Sequence, residues 1–138
     1  MALAFVITLE REIPEASEAY RKSASGKALA REVSRLDLAA RTKKVTAIES
    51  FLSENPETLR EQLRADGFDP EKMRLPPEQW FPAADGLATV RALTEQVSAK
   101  LNDFKQPNPI LRDLKAAEAL LTAAQTAGVR FHFTKADV

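Results

Sequence analysis

The chain of 138 residues contains no cysteine, a single histidine, a single tryptophan, a single tyrosine and four glycines. Without cysteine there is no disulfide, no thiolate nucleophile, no cysteine-ligated zinc and no iron–sulfur cluster. One histidine rules out a His pair at helical spacing and an HExxH metal motif, and no EF-hand loop is present. The chain is therefore read as having no metal site and no cofactor. An excess of charge of either sign is also missing, since 20 Lys and Arg balance 20 Asp and Glu. A nucleic-acid binder usually shows a basic excess, so nucleic acid is not an expected partner. No apolar run approaches the roughly 20 residues that span a bilayer, and Met1–Leu9 lacks the basic start and small-residue cleavage site of a secretory signal. No membrane association and a cytoplasmic location are the expectations.

What is present is an ordinary globular composition, 44% hydrophobic and 29% charged, at a length that suits one domain spanning residues 1–138. Leu3, Phe5, Ile7 and Leu9 alternate with Ala4, Val6 and Thr8, and Val129, Phe131 and Phe133 alternate with Arg130, His132 and Thr134. This period of two predicts a strand at each end of the chain. A short strand needs a partner for its backbone N–H and C=O groups, and pairing the two ends supplies one. Between them the periodicity is helical. Leu29, Val33, Leu36 and Ala40 predict a helix from Lys27, and Asn55-Pro56-Glu57 predicts a helix start with Gly67 as its stop. Leu87, Val90, Leu93, Val97, Leu101 and Phe104 predict the longest apolar stripe. Ile110, Leu114, Ala117, Leu121 and Ala124 predict a last helix closed by Gly128. The expected class is α+β: a mostly helical single domain whose terminal strands form a small sheet covered by amphipathic helices. A short helical turn is expected around Glu15–Tyr20 and another within Pro76–Trp80, and a third strand around Lys44–Ile48 is an open alternative.

His132 is the candidate for proton transfer, because imidazole is the side chain best suited to it near neutral pH. With Arg130, His132 and Thr134 on one face, Thr8 and Glu10 are the expected cross-strand neighbours, and Glu10 is the carboxylate expected to orient the ring. Trp80 and Phe81, set between prolines, are candidates for a partner surface or for a plug at the end of the helix pair. Arg130 and His132 form a second candidate contact patch. Ser25-Gly26-Lys27 opens a helix but fails the phosphate-loop pattern, with Arg21 and Ala28 at the positions that need glycine and Ser or Thr. The basic turn Arg41, Lys43, Lys44 suits a helix C-terminus.

Gly26-Lys27-Ala28-Leu29-Ala30-Arg31, Trp80-Phe81-Pro82-Ala83-Ala84-Asp85-Gly86-Leu87-Ala88-Thr89-Val90-Arg91-Ala92-Leu93 and Gly128-Val129-Arg130-Phe131-His132-Phe133 resemble a group of small stand-alone bacterial proteins. That group carries no assigned activity or catalytic residues. The resemblance implies a complete single-domain bacterial protein in the cytoplasm. The functional expectation is a non-enzymatic protein that binds another protein or itself, such as an immunity or accessory protein. The alternative is a small enzyme using His132 with a nearby carboxylate.

Overall fold

The computed structural model describes residues 3–137. Its elements run β1 (Leu3–Leu9), α1 (Pro14–Ser23), α2 (Lys27–Arg31), α3 (Val33–Lys43), α4 (Pro56–Ala65), α5 (Ala83–Ala99), α6 (Pro107–Ala127) and β2 (Phe131–Asp137). Short 3₁₀ turns occupy Ile48–Phe51, Pro70–Lys72 and Leu101–Asp103. β1 and β2 pair antiparallel, with Thr8 opposite His132 and Ile7 opposite Phe133. The chain is thus an α+β fold in which the two ends are zipped together.

The register sorts the strand side chains onto two faces. Phe5, Ile7, Phe131 and Phe133 are buried and belong to one apolar core. That core includes Leu87, Val90, Leu93 and Val97 of α5 and Ile110, Leu114, Ala117, Leu121 and Ala124 of α6, the residues that the periodicity picks out. Fully burying each large side chain here contributes about 1.5–3 kcal/mol before the entropy of ordering the chain is subtracted. The other face carries Ala4 and Val6 as well as Thr8, His132 and Thr134, and is polar around His132.

Both sheet edges are partly covered by bonds from outside the strands. On the outer edge of β1 the Phe5 amide donates to the Gly26 carbonyl at 3.0 Å, and the Ile7 amide donates to the Tyr20 hydroxyl at 3.0 Å. Burial pushes the Tyr20 phenol up to about 12, so the hydroxyl stays neutral as an acceptor. On the outer edge of β2, Phe81 exchanges two backbone bonds with Phe131, and the Ser53 amide donates to Phe133 at 2.9 Å. The open alternative of a third strand around Lys44–Ile48 is therefore not adopted. The bridging role falls to Leu52 and Phe81.

Several boundaries differ from the periodic reading. Residues 14–23 form a full helix that begins at Pro14, where a missing N–H costs nothing. The helix expected from Lys27 is split at Glu32, whose carboxylate is buried and accepts from the amides of Lys105 (2.6 Å) and Gln106 (3.1 Å) just before α6. α5 ends at Ala99, so Leu101 leaves the stripe and is exposed, while Phe104 returns to the core. Residues 76–80 hold no helical turn, and the turn in that region is Pro70–Lys72.

The Ser25-Gly26 turn also has a tertiary explanation. Its amides receive an internal anion: Asp113 of α6 is buried, and its Oδ1 accepts from Ser25 N–H at 3.1 Å. Oδ2 has no hydrogen-bond partner. Burial pushes the Asp113 carboxyl above its ordinary 3.8, against the opposing pull of the Ser25, Gly26 and Ala28 amides and of Arg112. The folded state then holds that proton more tightly than the unfolded chain. Stability from this group is present below about pH 4 and is lost as pH rises through the raised value. Asp113→Asn cannot titrate. The unfolding free energy of the variant minus that of the native chain is therefore expected to increase between about pH 4 and about pH 7, measured as urea midpoints at fixed salt. A constant difference across that range would contradict the assignment.

Candidate functional site

His132 is the second residue of β2, paired with Thr8 on one side and flanked on the other by the bridges at Phe131 and Phe133. Its side chain is 1% exposed. Nε2 lies 2.7 Å from Oε2 of Glu78, and Nδ1 lies 3.1 Å from the Phe133 carbonyl and 3.3 Å from Thr134 Oγ1. Thr134 is in turn 2.7 Å from the Thr8 hydroxyl. The Trp80 ring is inclined over the imidazole, with centroids 4.6 Å apart. A ring protonated at Nε2 donates to Glu78 and accepts from Thr134 at Nδ1, and an imidazolium donates instead to the Phe133 carbonyl. In either form both ring nitrogens are engaged.

Glu78 and Trp80 come from residues 73–80, an irregular segment hereafter called the strap. Within it Glu78 and Trp80 meet His132, while other strap residues serve a second place. There, Pro76, Pro77 and Gln79 join Leu52, Ser53, Glu54, Leu59 and Lys135 as walls of a cleft of about 340 Å³. His132 is not among those walls. The Gln79 amide donates to Ser53 Oγ at 2.7 Å, tying the strap to the bridging segment.

Glu10 does not orient His132. Two residues along the sheet from the Thr8–His132 pair it meets Arg130, which holds the Glu10 carboxyl below its ordinary range through a direct hydrogen bond. Both side chains of that pair are well exposed. The expected Arg130–His132 contact patch is thus divided: Arg130 is on the surface and His132 is sealed. Phe81 packs edge-on to Phe51 at 5.3 Å and beside Phe131, so it serves the core, whereas Trp80 is half-buried as the cover of His132. Lys43 of the basic turn reaches Glu95 at 2.8 Å. Among the described residues no group of three or more His, Asp or Glu side chains is placed to hold a metal ion, and no helix is long and apolar enough to cross a membrane.

Glu78 was not singled out by sequence reasoning, because it stands 54 residues from its partner in an irregular segment. The one available signal was the grouping of Pro76, Pro77 and Trp80 around it, which marks a rigid segment without naming its target. Comparison with protein-family models, curated proteins and solved structures finds no significant match to this chain.

Proposed function

We propose that the protein works by contact with another protein, or with a second copy of itself, and that the contact face is α4 together with the cleft beside it. The observation that carries this reading is the poor burial of α4. None of its ten residues is buried, although Leu59 and Leu63 stand one turn apart on one side. The chain that follows leaves Phe68 55% and Met73 41% exposed. Large apolar side chains left open in one stretch, beside a cleft walled by Leu52, Leu59, Pro76 and Pro77, are what a contact surface offers. Exposed Glu57, Glu61 and Arg64 supply the polar rim.

The test compares the native chain with Leu59→Lys/Leu63→Lys in pull-downs from native lysate and in light scattering of the purified protein. Because neither leucine is in the core, the double variant is expected to keep its fold by circular dichroism. A partner or an oligomer present with the native chain and absent with the variant supports the proposal. Equal behaviour of the two chains overturns it.

A second reading, a small enzyme using His132 with a carboxylate, is favoured by the 2.7 Å contact to Glu78. It requires a free ring nitrogen beside a substrate space, so it applies only when the strap has moved.

A further inference from the structure

We infer that the strap is a latched cover: the Glu78–His132 bond and the Trp80 ring hold it over the polar face of the sheet, and it opens as a unit while the rest of the fold stays intact.

The two faces of the sheet have different covers. Helices cover the face of Phe5, Ile7, Phe131 and Phe133, and exposing those rings to water is costly. The strap covers His132, which is linked through Thr134 to Thr8, and the polar atoms of His132 recover hydrogen bonds from water when uncovered. Lifting the strap therefore sacrifices little apolar burial beyond the half-buried Leu75 and Trp80. The strap itself is poorly anchored. Met73, Arg74, Pro76, Pro77 and Gln79 are exposed, and its ties are the Glu78–His132 bond, the Trp80 contact and the Gln79–Ser53 bond. Both ends, in contrast, are fixed. Pro70 is buried before it, and Phe81 is paired with Phe131 in both directions after it. A weakly held segment between two firm ends is the form of a low-energy local opening.

Charge keeps the latch specific. Glu78 is the carboxylate that reaches the imidazole from the strap, while Glu10 and Arg130 on the neighbouring strand positions satisfy each other. Because Pro76, Pro77 and Gln79 are also walls of the 340 Å³ cleft, opening the latch dismantles the cleft. This regulatory consequence rests on the contact reading, whereas the cover itself does not.

The test uses the full chain without any partner. Amide hydrogen exchange is followed by NMR in the native protein and in Glu78→Ala, together with acrylamide quenching of Trp80, the single tryptophan. Glu78→Ala is expected to speed exchange at the Gln79 amide roughly tenfold or more, the scale of a lost hydrogen bond to a charged group. Trp80 should become more accessible to quencher, while Thr8, Phe81 and Thr134 keep their native protection. Uniform acceleration of all these amides, or loss of the fold, would show that the strap cannot open separately and would overturn the inference. No change at Gln79 or Trp80 would overturn it as well, by showing that the latch holds nothing. Either failure leaves the outcome of the α4 pull-down comparison unaffected, so the two proposals fail separately.

Discussion

Gly26→Ala is expected to cost about 3–5 kcal/mol, enough to unfold a marginal domain of this size. Two causes add at this position. Gly26 has φ of +76°, a left-handed conformation that disfavours any side chain with a Cβ. A Cβ there would also lie 2.2 Å from the Phe5 carbonyl oxygen, 2.9 Å from its carbon and 3.1 Å from its nitrogen. These are backbone atoms of β1, so they cannot swing aside as a side-chain tip would. The same close approach lets the Gly26 carbonyl accept the Phe5 amide, so the substitution breaks the closure of the sheet edge as well. Chemical denaturation measures the loss. Gly67→Ala is the control, because its φ of +89° carries the conformational cost while nothing lies within 4 Å of the added carbon. Equal losses at the two glycines would contradict the close-approach argument.

Phe131→Ala is expected to cost about 3–5 kcal/mol through lost burial and the cavity left behind. Phe131 is 0% exposed and meets Phe51 at 5.2 Å and Phe133 at 5.9 Å between ring centroids. Its seat is made by Gly86 of α5, where a Cβ would fall 2.4 Å from Phe131 Cζ. Gly86→Ala, usually a gain inside a helix, is therefore expected to destabilise. Combining it with Phe131→Ala is expected to give less than the sum of the two losses, because the absent ring removes the clash. Strict additivity in a double-mutant cycle would contradict this packing.

These two positions show what a sequence makes legible and what it hides. Alternation at Leu3–Leu9 and Val129–Thr134 was enough to predict strands, because the period of two is a local property of the backbone. The helices behind Leu87–Val97 and Ile110–Ala124 were legible for the same reason. Tertiary chemistry overrode local pattern at Glu32, where a buried carboxylate serving Lys105 and Gln106 splits a continuous helical stripe. It did so again at Gly26, which reads as an ordinary helix start but is a contact with β1 whose neighbouring amide is served by Asp113. The candidate site was half legible. The face of His132 and its neighbour Thr8 followed from register, but the carboxylate did not. Glu10 was near in sequence parity and belongs to Arg130, while Glu78 arrives through a fold that brings a proline-rich segment across the sheet.

The difference between Glu10 and Glu78 alters the chemistry available to the protein. A histidine oriented by Glu10 on an open face would leave a ring nitrogen for a substrate. A histidine bonded to Glu78 beneath Trp80 has both nitrogens engaged and acts first as a tie between sheet and strap. In the closed protein that arrangement leaves no ring nitrogen free for a substrate, in keeping with the proposal that places the contact face at α4 and the cleft.

The most direct test of this account is the reactivity of the single histidine toward diethylpyrocarbonate, followed by mass spectrometry in the native, Glu78→Ala and urea-unfolded chains. A sealed His132 predicts slow modification of the native protein, faster modification once the Glu78 carboxylate is removed, and the full rate after unfolding. Modification of the native chain as fast as the unfolded one would show an open imidazole and contradict the account.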